Sequence, residues 1–117
     1  MRIQPLILVL AVAALAGCAN DPAPHEQMRL SEQALEQAKA VGATEQVEAF
    51  KLAEDKFARA KTNMVSEDFR DARMRAEQAE LDARLAEAQV LTQKSEEQLK
   101  VTESRIKRLR KQLEVQP

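Results

Sequence analysis

The sequence predicts an all-α fold: a short three-helix bundle whose long C-terminal helix runs on as a coiled-coil-like arm. Three observations carry this. Between Pro24 and Pro117 there is no proline and Gly42 is the only glycine, whereas sheet folds need turn residues about every ten positions. Apolar residues recur at three- and four-residue steps, the spacing of one helix face. The chain has 117 residues, 32% of them charged and only 3% aromatic, which bounds it to one small domain without a deep core.

Residues 1–17 read as a cleaved signal peptide. Arg2 supplies a positive start, and Leu6 to Ala16 is an unbroken apolar run. Such a run spans only about 16 Å as a helix, too short for a hydrocarbon core of roughly 30 Å. Leu15-Ala16-Gly17-Cys18 resembles the bacterial lipobox. The resemblance implies a diacylglyceryl thioether on the Cys18 sulfur and an acyl group, commonly palmitate, on the new amino terminus. Two or three acyl chains anchor a protein stably where one is marginal. Cys18 is the only cysteine, so this lipid uses up the chain's thiol chemistry and leaves no disulfide, thiolate nucleophile or cysteine metal ligand. Ala19 and Asn20 follow the cysteine where an aspartate would signal inner-membrane retention. By analogy with Gram-negative lipoproteins, the outer membrane is the expected address.

Residues 18–25 form an anchor and tether, with Pro22 and Pro24 favouring extended backbone. The helical domain is expected over 26–117, in three helices. The first runs over about 26–41, with Met28, Ser31, Ala34, Leu35, Ala38 and Val41 on one face. Gly42 suits the left-handed position that ends a helix, and Thr44 is placed to cap the next. The second covers about 45–64, where Phe50, Ala53, Phe57, Ala60 and Met64 form a stripe. Val65-Ser66 breaks the pattern, with Ser66 expected as a cap and Glu67 and Asp68 in the following first turn.

The third helix covers about 67–114 and carries two stripes. Phe69, Ala72, Ala76, Ala79, Ala83, Ala86 and Val90 make the first. The second starts on a neighbouring face at Leu81 and Leu85, passes through Ala88, Thr92 and Ser95, and continues to Leu99, Thr102, Ile106, Leu109 and Leu113. Acid-to-base pairs four residues apart are expected on the outside: Asp55–Arg59, Asp71–Arg75, Glu80–Arg84, Glu96–Lys100 and Glu103–Lys107. The small residues of the first stripe let the second helix pack antiparallel on the first half of the third. The lengths are unequal, about 24 and 30 Å against roughly 70 Å, so the third helix overshoots from about Ala88 onward. Leu99, Ile106, Leu109 and Leu113 are therefore a candidate partner seam, since a lone helix with an apolar stripe is poorly stable in water.

The composition argues against an enzyme. His25 is the only histidine and has no second ligand or base beside it, so no metal site is expected. Adjacent carboxylates such as Glu96 and Glu97 read as solvated surface, and Met28, Met64 and Met74 as core filling. No glycine-rich phosphate loop is present, and no cofactor beyond the lipid on Cys18 is expected. From Cys18 onward the chain has 17 basic and 19 acidic side chains, a balance that argues against nucleic acid as partner. One local exception is Arg105, Lys107, Arg108, Arg110 and Lys111, five cations with no acid between Ser104 and Leu113. A helix C-terminus favours cations through its dipole; an anionic partner, such as peptidoglycan carboxylates or an acidic protein, is the alternative reading.

A wider pattern joins these pieces. A lipobox is followed by a proline-containing tether and an Ala-rich helix ending in Val41-Gly42-Ala43. Lys51-Leu52-Ala53 through Ala60-Lys61 follows, then Asp68-Phe69-Arg70-Asp71-Ala72-Arg73 with Ala76-Glu77-Gln78-Ala79. This resembles the small bacterial lipoproteins that carry the domain of unknown function 4398. Members often have a tyrosine and a proline just after the Gly-Ala turn, where this chain has Thr44-Glu45-Gln46-Val47. The resemblance implies a helical outer-membrane lipoprotein, in some relatives associated with peptidoglycan-binding domains, and no catalytic residue. The expected role is a lipid-anchored, periplasm-facing structural or interaction protein of the cell envelope. The alternatives are a self-associating spacer that contacts peptidoglycan, or an adaptor or regulator of an envelope complex. The chain ends in Val115-Gln116-Pro117 rather than the lysine that links the major outer-membrane lipoprotein to the wall, so any wall contact is expected to be non-covalent.

Overall fold

A computed structural model describes residues 21–114. The expected signal peptide, the lipobox residues Leu15, Ala16 and Gly17, and Cys18 lie outside the described residues, as do 115–117. Three helices follow in order: α1 (His25–Val41), α2 (Glu48–Val65) and α3 (Phe69–Glu114). Each begins within three residues of its expected start. Links of six and three residues leave no room for a crossover, so neighbouring helices are antiparallel and the order is up, down, up. The long helix α3 packs on both α1 and α2, which touch each other least. Among the described residues no helix is long and apolar enough to cross a membrane.

Small side chains set the packing. Ala38, Ala53, Ala60, Ala72, Ala76, Ala79, Ala83 and Ala86 are all fully buried. Side-chain size at the contact governs how closely helix axes approach, and alanine on both sides brings the backbones close. Larger groups fill the gaps left between the alanines: Leu35, Phe50, Phe57 and Val90 are buried, with Met28, Val41 and Val47 partly buried against them. Met64 is half-buried, while Met74 stands 45% exposed and is not core. It follows Arg73 on the turn of α3 that points away from Ala72 and Ala76.

Ser31 is the one buried polar residue among those described. Its hydroxyl oxygen lies 2.7 Å from the Ala76 carbonyl oxygen of α3 and 2.8 Å from the Gln27 carbonyl one turn back in α1. A single proton is shared between these two acceptors, so the small polar side chain both admits the close approach and tethers α1 to α3.

Both turns use the same device. Gly42 is left-handed at φ 104°; its N–H donates to Lys39 O at 2.9 Å, and the Ala43 N–H donates to Ala38 O at 2.9 Å. This is the Schellman pattern, accompanied by contact between the residue after the cap and the last turn; Ala38 and Ala43 are both buried. At the end of α2 the Glu67 N–H donates to Met64 O at 3.3 Å and the Asp68 N–H to Asn63 O at 2.9 Å. Here the left-handed residue is Glu67, at φ 60°. A glutamate thus holds, with strain, the position that glycine holds at the first turn.

Two expected caps serve otherwise. Thr44 does not cap α2. Its carbonyl accepts the Val47 N–H at 2.8 Å and its hydroxyl lies 3.4 Å from the Gln46 N, so it closes the intervening turn and the helix starts later, at Glu48. Ser66 caps the end of α2 rather than the start of α3: its hydroxyl reaches the carbonyls of Thr62 and Asn63 at 3.2 Å. Asp68 occupies the position before α3, its carbonyl accepting the Ala72 N–H at 2.9 Å.

Candidate functional site

The bundle is cross-braced at its surface. Lys56 of α2 pairs with Asp82 of α3 at 2.6 Å, and Lys39 of α1 with Glu54 of α2 at 3.1 Å. The Lys39 ammonium also lies 5.6 Å from the Phe50 ring, and the Lys61 ammonium 4.4 Å from that of Phe57, both within cation–π range. Glu80 accepts from Gln27 Nε2 at 2.7 Å and pairs with Arg84. Of the five acid-to-base pairs expected from spacing, Glu80–Arg84 is the one closed among the described residues. Three of the other four, Asp55–Arg59, Glu96–Lys100 and Glu103–Lys107, join exposed groups whose pairing in water gains little, while Asp71 and Arg75 are part-buried.

The last cross-brace is Lys94. Its ammonium lies 2.5 Å from the Val41 carbonyl, at the negative end of the α1 dipole. Beyond it the chain is on its own. Every residue from Leu91 to Glu114 is exposed, and the helix continues from Lys94 to Glu114, about 30 Å past that brace at 1.5 Å per residue.

This arm carries both sequence-derived candidate features. Leu99, Ile106, Leu109 and Leu113 are 61%, 44%, 59% and 72% exposed, so nothing among the described residues covers the seam. The seam also begins earlier than the arm does. Leu81 and Leu85 are 66% and 51% exposed although their neighbours Ala79, Ala83 and Ala86 are fully buried. At 3.6 residues per turn the two stripes therefore lie on opposite faces of α3, not neighbouring ones. One face is filled by α1 and α2, and the other is bare from Leu81 to Leu113.

Arg105, Lys107, Arg108, Arg110 and Lys111 are all exposed, and none closes an ion pair among the described residues. Helical spacing sets Arg105 and Arg110 on either side of the seam and the other three behind it. The charge of the molecule is polarised as a result. Residues 21–90 hold 10 basic and 15 acidic side chains, whereas 91–114 hold 7 basic and 4 acidic.

His25 is exposed at the first turn of α1, its N–H on Ala23 O at 2.9 Å. Glu96 and Glu97 are exposed on the arm. Among the described residues no group of three or more His, Cys, Asp or Glu is placed to hold a metal ion. Arg75 Nε is buried with no hydrogen-bond partner among the described residues. The Ser31 tether, the Lys94 brace and the left-handed Glu67 are barely legible in the sequence. A serine on an apolar stripe was the one available signal, whereas Lys94 is unremarkable until α1 and α3 are laid side by side.

No curated protein matches the chain. A solved structure does: the crystal structure, at 2.47 Å resolution, of a DUF4398 family protein from Pseudomonas aeruginosa PAO1. The two chains are 65% identical, with a TM-score of 0.78, over 79% of this chain and 96% of that one. The model of the domain of unknown function DUF4398 matches residues 26–102, covering α1 from its second residue, α2, their turns and the first three-quarters of α3. By both comparisons, the chain belongs to the DUF4398 family.

Proposed function

We propose that this protein is a lipid-anchored interaction protein of the bacterial cell envelope, with the bundle as its base and the arm as its contact element. The observation that carries the reading is the bare apolar face of α3, uncovered from Leu81 to Leu113. A solvated helix has no need of a leucine-rich face with heptad spacing; a helix that meets a partner does. The lipobox-like Leu15-Ala16-Gly17-Cys18 supports the anchor. The up-down-up order starts α3 at the anchored end of the bundle, on the periplasmic side of the outer membrane, and carries its basic end to the opposite end of the molecule. No catalytic role is part of this reading.

The test begins with the anchor. Cells fed labelled palmitate are expected to label the protein and to hold it in the outer-membrane fraction, and a Cys18→Ala chain is expected to lose both label and membrane retention. An unlabelled wild-type chain in the soluble fraction would refute the anchor.

The five exposed cations near the arm's end favour a second contact, with anionic groups such as peptidoglycan carboxylates. Being charge-based and exposed, that contact is salt-sensitive. Elution from isolated cell walls by high salt supports it, and retention through hot detergent contradicts it.

A further inference from the structure

We infer that the bare face of α3 pairs with the same face of a second copy of this chain, antiparallel and in full overlap. The inference rests on the reading of the arm as a contact element and names the partner.

The seam is long enough to be a coiled coil. From Leu81 to Leu113 the steps alternate four and three without a break, so over 33 residues the heptad pattern is sustained beyond the three or four heptads such pairing needs. Four of its five leucines stand at the ends, Leu81 and Leu85 at one and Leu109 and Leu113 at the other, with Ala88, Thr92, Ser95, Leu99, Thr102 and Ile106 between them. Antiparallel overlap places leucine on leucine at both ends: Leu81 opposite Leu113 of the second copy, and Leu85 opposite its Leu109. The layers between then pair Ala88 with Ile106, Thr92 with Thr102 and Ser95 with Leu99.

Charge chooses between the two directions. In a parallel pair the five-cation ends would lie together, with Arg105 flanking the seam directly against Arg110 of the second copy. In the antiparallel pair that basic end runs along residues 81–91, on a body with five more acids than bases, and Arg110 comes level with Asp82 of the second copy. The single like-charge contact is Glu96 with its own copy at the twofold axis. Unlike charges in flanking positions set partner and orientation in coiled coils. The outer face at Leu81 and Leu85 is open to receive the arm, since α1 and α2 occupy the opposite side. Pairing in this sense sends the two N-terminal ends in opposite directions, so a pair anchored at both ends lies along a membrane surface.

The test is a photoreactive residue in place of Leu109, in the full chain expressed in its own cells, with the attachment point mapped by mass spectrometry. Antiparallel pairing puts the attachment at residues 81–89 of a second copy. Those residues lie roughly 30–40 Å from position 109 along a rigid helix, so such an adduct is intermolecular. Attachment near residues 105–113 of a second copy overturns the orientation. An adduct to a different protein overturns the pairing but leaves the arm as a contact element; no adduct refutes both. A charge variant adds a sign. Arg110→Glu, at an exposed position with no contact in the bundle, is expected to cut the yield of the 81–89 adduct severalfold, whereas an increase contradicts the antiparallel arrangement.

Discussion

The two halves of α3 are one unbroken helix with opposite dependence on their surroundings. From Ala72 to Val90 six residues are buried against α1 and α2; from Leu91 to Glu114 none is. Both halves are rich in strong helix formers, the first in Ala, Arg and Glu and the second in Leu, Lys, Arg, Glu and Gln. Helix nucleation is the unfavourable step and propagation is nearly neutral, so the packed half supplies a nucleus from which the arm extends. Packing thus decides where α3 is stable, while intrinsic propensity decides how far it continues.

The sharpest way to break that contrast is to enlarge one side chain in each half. Ala83→Leu inserts three carbons where side chains are fully buried, and is expected to cost about 3 kcal/mol by overpacking, read as a lowered thermal midpoint by circular dichroism. Leu99→Ala, on the exposed arm, is expected to change the monomer's stability by less than about 0.5 kcal/mol. Equal effects would mean that the arm is packed in the monomer too.

The turns give the next largest effects, with opposite signs. Gly42→Ala forces a side chain into φ 104°, at a cost of about 1–2 kcal/mol; space is not the obstacle, since the new Cβ meets only Lys94 Nζ, at 3.6 Å. Glu67→Gly relieves the same strain at φ 60° and is expected to stabilise by about 0.5–1 kcal/mol. Chemical denaturation of the two variants checks both. Ser31→Ala should follow at about 1 kcal/mol, the net value of one hydrogen bond, because the carbonyls it leaves are already in helical ladders and no cavity opens.

The smallest effect is a pH dependence at the bundle's first turn. The Glu26 carboxyl is held below its ordinary value of 4.5 chiefly by its hydrogen bond with Arg29, whose own value is raised in turn. A depressed carboxyl contributes stability that is fully present above its unfolded value and is lost as the pH falls through the folded one. The pH titration of stability should therefore differ slightly between the wild type and Glu26→Gln above about pH 4.5, with the difference fading in more acid solution. Both side chains are exposed, so the effect is small and salt-dependent.

Much of this architecture is legible in the sequence because period alone carries it. Two alanine stripes at seven-residue spacing specify which faces of α2 and α3 meet, and a proline-free stretch with one glycine specifies helices and one turn. The seam and the cation cluster were readable for the same reason. What the sequence does not display is what depends on a second element coming close. Lys94 braces α1 only because Val41 ends beside it. Asp82 prefers Lys56 across the interface to any partner on its own helix. Thr44 and Ser66 resemble helix caps by type, yet the backbone route around each turn hands those positions to Val47 and Asp68. Local rules assign residue types well and geometry poorly, and the second apolar face of α3 shows the cost: its period was plain, but its placement opposite the core emerged only once the first face was filled.

Hydrogen exchange across α3 tests the central claim most directly, with the full chain held dilute enough to be monomeric. Amides from Ala76 to Val90 are expected to be protected to the level of global unfolding, and those from about Ser95 to Glu114 to exchange orders of magnitude faster, with the boundary near Lys94. Raising the concentration should then protect the arm as copies pair. Uniform protection through residue 114 in the dilute monomer would contradict the account, since it would mean that the chain itself covers the face left bare here.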